Sequence, residues 1–364
     1  MNDPLLQTIC RDWHVERGAK MAPFGGWDMP IQHTGIVQEH HAVRKACGLF
    51  DIAHMGRVFF RGTDACRLLD HLLTNDVSQL QPGQVRYSLV TNHDGFILDD
   101  VLVYRLDDGY MLVVNASNRV KIVDWISEHQ AGFDVDVQDK TTDRFMLALQ
   151  GPKALSLLQS FCETDLSPMP YYSVMTSTVA GKDAIVSRTG YTGEDGFEVI
   201  VPANVGLELW QQLVAAGDDI GLVPCGLGCR DTLRLEAAMP LYGHELNEDI
   251  DPFTAGLSFA VKLNAADFIG RSALLTAKAN PERKKRIGLA LAGRRVARDG
   301  MEVFSEDREI GRVTSGTFSP TFEKPVAMAY VSAPAPEVGS QVEVQIRNSR
   351  EPATVVKLPF YKRS

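Results

Sequence analysis

The sequence predicts an α+β chain of two or three domains that ends in an all-β unit. Three observations carry that expectation. Strand-like and helix-like spacings of apolar residues alternate irregularly over residues 53–142 and again over 144–215, the pattern of sheets covered by helices. From about Lys285 the pattern shifts to short strand candidates punctuated by glycine, as in a β-barrel or sandwich. The chain has 364 residues, beyond the roughly 250–300 at which a single core stops growing.

Each element has a local reason. Asp64–Leu73 holds Ala65, Leu68, Leu69 and Leu72 at helical spacing after the start signal Gly62-Thr63. Val85–Val90 and Phe96–Arg105 read as strands joined by the turn Asn92-His93-Asp94-Gly95. Asp107-Asp108-Gly109 turns the chain into a third strand, Tyr110–Val114, and Arg119–His129 is a helix candidate. The next unit has a strand at Arg144–Leu149, a helix at Ala154–Phe161 and strands at Ser173–Val179, Ala184–Ser187 and Glu198–Val201. A helix at Val205–Ala215 completes it. The last part offers strands at Arg286–Leu291, Met301–Phe304, Arg308–Thr314, Val326–Val331 and Gln341–Ile346.

Composition narrows the function classes. Forty-five per cent hydrophobic and 23% charged residues are globular values, which exclude disorder as the dominant state. A net charge of −9 argues against a nucleic-acid partner, which calls for a basic footprint. No window approaches the roughly 18 consecutive apolar residues that span a bilayer. Met1–Gln7 has neither a basic nor an apolar leader region. The six cysteines are scattered without a C-x-x-C pair, as expected of idle thiols in a reducing cytoplasm. No metal is expected: Cys225 and Cys229 lack a second pair, and His40, His41 and His54 lack a further ligand at metal spacing.

Three clusters could carry chemistry. In Gly95–Tyr104 two adjacent acids, Asp99 and Asp100, interrupt an apolar strand. Neighbours on a strand face opposite ways, so one acid is held inside if one face is buried, where burial raises its pKa. The alternative is a strand break with both acids solvated. Ser187–Glu198 carries Gly190, Gly193 and Gly196 with an aromatic, three acids and a base. It matches no phosphate-binding loop. It suits a planar polar heterocycle, or else a charged hairpin. Cys225–Glu236 places Gly226 and Gly228 before a helix with Arg230 in its first turn, a site favourable to anions. Arg230 and Arg234 repel at i, i+4, so an acidic partner is expected for one of them. No G-x-S-x-G or H-E-x-x-H motif is present.

Together with Pro23–Pro30, Gly48–Gly56, Leu73–Val77, Leu241–Glu245 and Thr314–Pro320, these runs resemble the aminomethyltransferase (T-protein) family of the glycine cleavage system over essentially the whole chain. The resemblance implies a three-domain cloverleaf around a central folate cavity, with two α+β domains and a C-terminal jellyroll-like β-barrel. It implies a discontinuous first, folate-binding domain (1–52 plus 143–250) and an inserted α+β domain carrying Asp100 (53–142). A connecting segment (251–284) and the barrel (285–364) follow. It implies transfer of a methylene from the aminomethyl group on the lipoyl arm of H-protein to tetrahydrofolate, giving 5,10-methylenetetrahydrofolate, ammonia and dihydrolipoyl H-protein. The P- and L-proteins of that system are the functional neighbours. Asp100 matches the essential carboxylate; Tyr87, Asn115, Tyr191, Glu198, Arg230 and Met55 match the folate-binding positions. The residues depart from the family pattern at Ala53, Arg57, Cys229 and Met239. A distal arginine of longer members has no clear counterpart, with Lys362 or Arg363 as substitutes. Lys20, Arg44, Lys45 and Arg57 are the candidate docking cations for H-protein. The competing expectations are a folate-dependent demethylase of a small methylated substrate and a non-catalytic folate-binding protein.

Overall fold

A computed structural model describes residues 4–363; Met1–Asp3, part of the N-terminal run read above, and Ser364 lie outside it. Two sheets pack face to face, and helices cover their outer faces. The first is a five-stranded antiparallel sheet. Val85–Thr91, Ile97–Leu106 and Gly109–Val114 follow one another as a meander, extended by Gly56–Arg61 and Asp136–Asp139. Alternation sorts its side chains. Val58, Phe60, Val101, Val103, Leu112 and Val114 meet the helices Ala65–Leu72 and Arg119–His129 through Leu68, Leu69, Leu72, Ile122 and Ile126. Phe59, Tyr104, Met111 and Val113 point the other way, onto the second sheet.

That second sheet has six strands in the order Val174–Val179, Lys182–Ser187, Gly196–Pro202, Arg144–Gln150, Cys47–Asp51, Leu222–Cys225. Cys47–Asp51 pairs antiparallel with Arg144–Gln150 and parallel with Leu222–Cys225. The sheet thus draws strands from before and after the segment that builds the five-stranded sheet. Phe50, Met146, Ala148, Ile185 and Ile200 face the first sheet. Leu49, Leu147, Leu149, Val199 and Val201 face helices through Leu157, Leu158, Leu209, Trp210 and Leu213. Neither Cys47–Asp51 nor Leu222–Cys225 stands out in the sequence. The first is short with no alternation, because both its faces are buried. The second contains Pro224, which the sheet tolerates because the strand lies at its edge.

Residues from Lys285 onward form a closed six-stranded antiparallel barrel. Ile287, Leu289, Val303, Val313, Ala329, Val344 and Val355 fill it. Its strand Arg308–Ser319 runs five residues past the expected end, and Ser349–Val356, which contains Pro352, closes the barrel. Between barrel and sheets, residues 251–279 are fastened to the helix Ala65–Leu72 and the turn after it: Ile269 N donates to His71 O (3.0 Å) and Lys262 N to Thr74 O (2.8 Å). Leu257, Ala260, Leu263 and Phe268 bury themselves against Leu89, Ile97 and Leu274.

A polar latch joins the barrel to the helix Leu227–Glu236. Glu236 Oε1 accepts from Ser319 Oγ and from Thr321 N (3.2 Å); its Oε2 accepts from Thr321 Oγ1 (2.7 Å) and Arg44 Nη2 (2.9 Å) and lies 3.2 Å from His40 Nε2. Burial alone would raise this carboxyl, but the hydrogen bonds from His40, Ser319 and Thr321 hold it down to about 2. Two expected docking cations are therefore internal. Arg44 is buried between Glu194 and Glu236. Arg57 is fully buried and donates to the carbonyls of Ala53, Met55, Thr141 and Arg144. A basic side chain beside a surface motif reads as solvated; here each is consumed by acceptors that the fold would otherwise leave unpaired. Lys20 and Lys45 are exposed.

Candidate functional site

A cavity of about 740 Å³ opens where the two sheets, the 251–279 segment and the barrel meet. Asp100, Tyr87, Asn115, Met55, Tyr191, Glu198 and Arg230 all line it. The structure thus brings together every site residue expected from the sequence.

The strand Ile97–Leu106 delivers the paired acids, Asp99 inside the fold and Asp100 half-buried at the cavity wall. Asp99 is fully buried. Its Oδ1 accepts from Asn115 Nδ2 (2.8 Å) and Asn118 Nδ2 (2.6 Å), and its Oδ2 from Asn115 N (3.0 Å). Asp100 faces the cavity; Oδ1 accepts from Asn115 Nδ2 (2.8 Å) and Oδ2 from Tyr87 OH (3.0 Å). Burial raises both carboxyls above their usual range, and the charge of Asp100 adds to the rise at Asp99. Asn115, at the end of Gly109–Val114, ties the two acids through a single amide.

The strand Gly196–Pro202 supplies Glu198. Its Oε2 accepts from Thr189 Oγ1 (2.6 Å) and Tyr104 OH (3.4 Å), while Oε1 has no partner among the described residues. Burial raises this carboxyl as well, against the Thr189 hydrogen bond. The helix Leu227–Glu236 supplies Arg230. That helix can begin where it does because Gly226 has no side chain: a Cβ there would lie 2.3 Å from the Ile31 carbonyl carbon and oxygen. Gly226 N donates to Glu39 Oε2 (2.9 Å), which pins the start. The Arg230 side chain makes no hydrogen bond or ion pair among the described residues. Its guanidinium lies 4.7 Å from the Tyr191 ring centroid, and burial lowers its pKa. The Tyr191 hydroxyl is committed to the Pro240 carbonyl, so the ring is what it offers the cavity. Arg234 takes the acidic partners instead, Asp231 (2.8 Å) and Glu245 (2.9 Å).

Some groups lay beyond the sequence reading. His54 lines the cavity fully buried; burial lowers its pKa to about 3, so the ring is neutral. Phe259, 60% exposed, stacks on Tyr87 at 5.7 Å between centroids. Arg286, Thr314, Ser315 and Gly316 enter from the barrel. A single polar residue on an exposed-looking strand carries no signal of a cavity formed between distant parts of the chain. Arg363 does not line the cavity: it lies over Tyr171 (4.9 Å) and reaches Asp195 (3.5 Å). Lys362 is exposed. Neither replaces the distal arginine.

The fold also brings Glu39 beside Cys225 and Cys229, an arrangement the sequence spacing did not reveal. Its oxygens are already taken. Oε1 accepts from His33 N, Thr34 N and Gly35 N, and Oε2 from Gly226 N. Burial holds the Cys225 thiol well above its usual pKa, in its protonated form. The trio is a loop brace. All six thiols are free, and no helix of the described residues is long and apolar enough to cross a membrane.

Two family models match the chain: the GCVT N-terminal domain over residues 10–265 and the glycine cleavage T-protein C-terminal barrel domain over residues 284–362. An aminomethyltransferase of Bacillus subtilis is 44% identical over 99% of this chain and 100% of its own length. One of Streptomyces coelicolor is 47% identical over 99% and 98%. The crystal structure of the glycine cleavage system aminomethyltransferase T from Bartonella henselae superposes with a TM-score of 0.92 at 34% identity, covering 98% of both chains.

Proposed function

Because the chain belongs to the glycine cleavage T-protein family and is an aminomethyltransferase, we propose that it works on two substrates. One is the aminomethyl group carried on the lipoyl arm of H-protein; the other is tetrahydrofolate. The methylene carbon leaves sulfur and nitrogen and becomes the bridge between folate N5 and N10. The two folate N–H hydrogens leave with the products, one on ammonia and one on the dihydrolipoyl thiol. The P- and L-proteins of the same system are the functional neighbours. The cytoplasm is the assigned compartment, one in which six free thiols persist.

The observation that carries this reading is the cavity's set of uncommitted groups. Glu198 offers Oε1 to ring N–H donors, Arg230 offers an unpaired guanidinium, and Tyr191 offers a ring face. A pterin, planar with donors along one edge, uses such a set. Asp100 is the catalytic carboxylate of the proposal. Positive charge develops on the reacting nitrogens as ammonia departs, and a fixed anion in a water-poor cavity stabilises it. Tyr87 and Asn115 fix the orientation of Asp100 by donating to its two oxygens. Met55 contributes an apolar wall. We also propose the domain division 1–52 plus 143–250, 53–142, 251–284 and 285–364, supported by a six-stranded sheet that takes strands from both sides of the inserted segment.

The test is ammonia release from aminomethylated H-protein by the purified protein, with and without tetrahydrofolate. Folate-dependent release is expected. Folate binding without any stimulation of release would overturn the reaction assignment.

A further inference from the structure

We infer that His71, His93 and His129 make up a binding site for a transition-metal ion of the Zn2+ kind, on the helix-covered side of the five-stranded sheet.

The three rings come from three separate elements. His71 stands in the last turn of the helix Ala65–Leu72, His129 ends the helix Arg119–His129, and His93 lies in the turn Asn92–Gly95. Packing of both helices beside that turn brings the rings together. The centroids of His71 and His129 are 6.2 Å apart, and those of His93 and His129 are 5.9 Å apart. None of the three lines the cavity. The backbone under each is fixed. His71 O accepts from Ile269 N (3.0 Å). Asn92 Oδ1 accepts from Asp94 N (3.1 Å) and Phe96 N (2.9 Å), which sets the turn carrying His93. Trp125 packs against two of the rings, 4.3 Å from His129 and 5.7 Å from His93 between centroids.

The protonation pattern suits a ligand set. His129 Nδ1 lies 2.8 Å from Trp125 O. A carbonyl only accepts, so Nδ1 carries the proton and Nε2 keeps its lone pair. Such a bond is the outer contact that orients a metal-ligating histidine. Burial and the neighbouring rings of His129 and His93 lower the pKa of His71, which favours the neutral imidazole that ligates. Asp267 acts on His71 in the opposite sense, so a carboxylate stands near the trio as well. Imidazole nitrogens select Zn2+ and its transition-metal neighbours, whereas Mg2+ and Ca2+ call for oxygen. Coordination at about 2.0–2.1 Å draws the nitrogens closer than the present ring spacing, and the exposed His93 side chain has the rotational freedom to close it. The bound ion ties the turn that enters the strand of Asp99 and Asp100 to both covering helices.

The test is calorimetric titration of Zn2+ alone into the untagged, full-length, reduced protein. The wild type is expected to bind one ion per chain, with a rise in its thermal denaturation midpoint. His93→Gln and His129→Gln are each expected to weaken binding by at least about tenfold. His93→Gln changes an exposed turn residue, so it carries the test alone if His129→Gln fails to fold. Co2+ in place of Zn2+ is expected to show the visible bands of a nitrogen and oxygen site without a thiolate charge-transfer band. Absence of Zn2+ binding by the wild type overturns the inference. Undiminished binding in His93→Gln, or a thiolate band with Co2+, places the ion elsewhere and overturns it too.

Discussion

Asparagine substitution at the two adjacent acids should have opposite consequences, although the residues are neighbours in sequence. In Asp100→Asn, the new amide oxygen can take the Oδ1 position and still accept from Asn115 Nδ2. The new NH2 then sits at the Oδ2 position, and the Tyr87 hydroxyl turns from donor to acceptor. Every hydrogen bond survives, so stability should stay within about 1 kcal/mol of wild type. Only the charge is lost. Removing one preorganised electrostatic group from a water-poor site slows turnover by about 100- to 1,000-fold, and that is the expected drop in folate-dependent ammonia release. Asp99→Asn has no such escape. Both oxygens of Asp99 face N–H donors, Asn115 Nδ2 and Asn118 Nδ2 on one and the Asn115 backbone on the other. Wherever the new NH2 goes, it opposes a donor in a fully buried position. The expected loss is about 1–3 kcal/mol of stability, read by chemical denaturation. Wild-type turnover in Asp100→Asn, or a lower denaturation midpoint than that of Asp99→Asn, would refute this division of labour.

Other consequences can be checked separately. If ionised Asp100 is the working form, its burial-raised pKa puts the acid limb of the kcat/KM profile well above the usual carboxylate range; a limb near pH 4 would exclude Asp100 as its origin. Glu236→Gln should cost about 1–3 kcal/mol, because Arg44 keeps Glu194 but loses its second buried acidic partner. Since the folded pKa of Glu236 is depressed, its contribution is present above the unfolded value near 4.3 and is lost as pH falls towards about 2. Acid unfolding of wild type, but not of the Gln variant, should carry this component. Gly226→Ala forces backbone apart at Ile31, so folate affinity should fall at least about tenfold through displacement of Arg230, with calorimetry as the readout. Tyr191→Phe loses only the bond to Pro240 and should retain folate binding within a few-fold, whereas Tyr191→Leu, which removes the ring beside Arg230, should not.

The sequence made the inserted sheet legible because its signals are local. Asn92–Gly95 and Asp107–Gly109 mark the two turns of a meander, and the strands between them are neighbours in the chain. The six-stranded sheet was harder, because Cys47–Asp51 finds both partners far along the chain. Alternation alone placed Asp99 and Asp100 on opposite faces; the resemblance chose which of them faces a ligand. What it could not say is that Asn115 links them, since that depends on a loop closing over the strand. The docking cations failed for a related reason. Arg44 and Arg57 look like surface charges until the carbonyls and carboxylates they satisfy are in place. Arg286 heads the strand expected over Arg286–Leu291, where nothing local marks a side chain that lines a cavity.

The split sheet imposes an order of events on the growing chain. Cys47–Asp51 emerges with all its residues destined for burial, yet its antiparallel partner is synthesised roughly ninety residues later, several seconds or more at about 5–20 residues per second. Meanwhile the meander strands meet neighbours already made, and contacts of short sequence separation form first. The inserted unit is therefore the early-structured part, and it holds the two ends of the unfinished sheet close together while the second half arrives. Substitutions that slow the meander should for this reason lower the yield of the whole enzyme, even where they leave the finished molecule as stable as before.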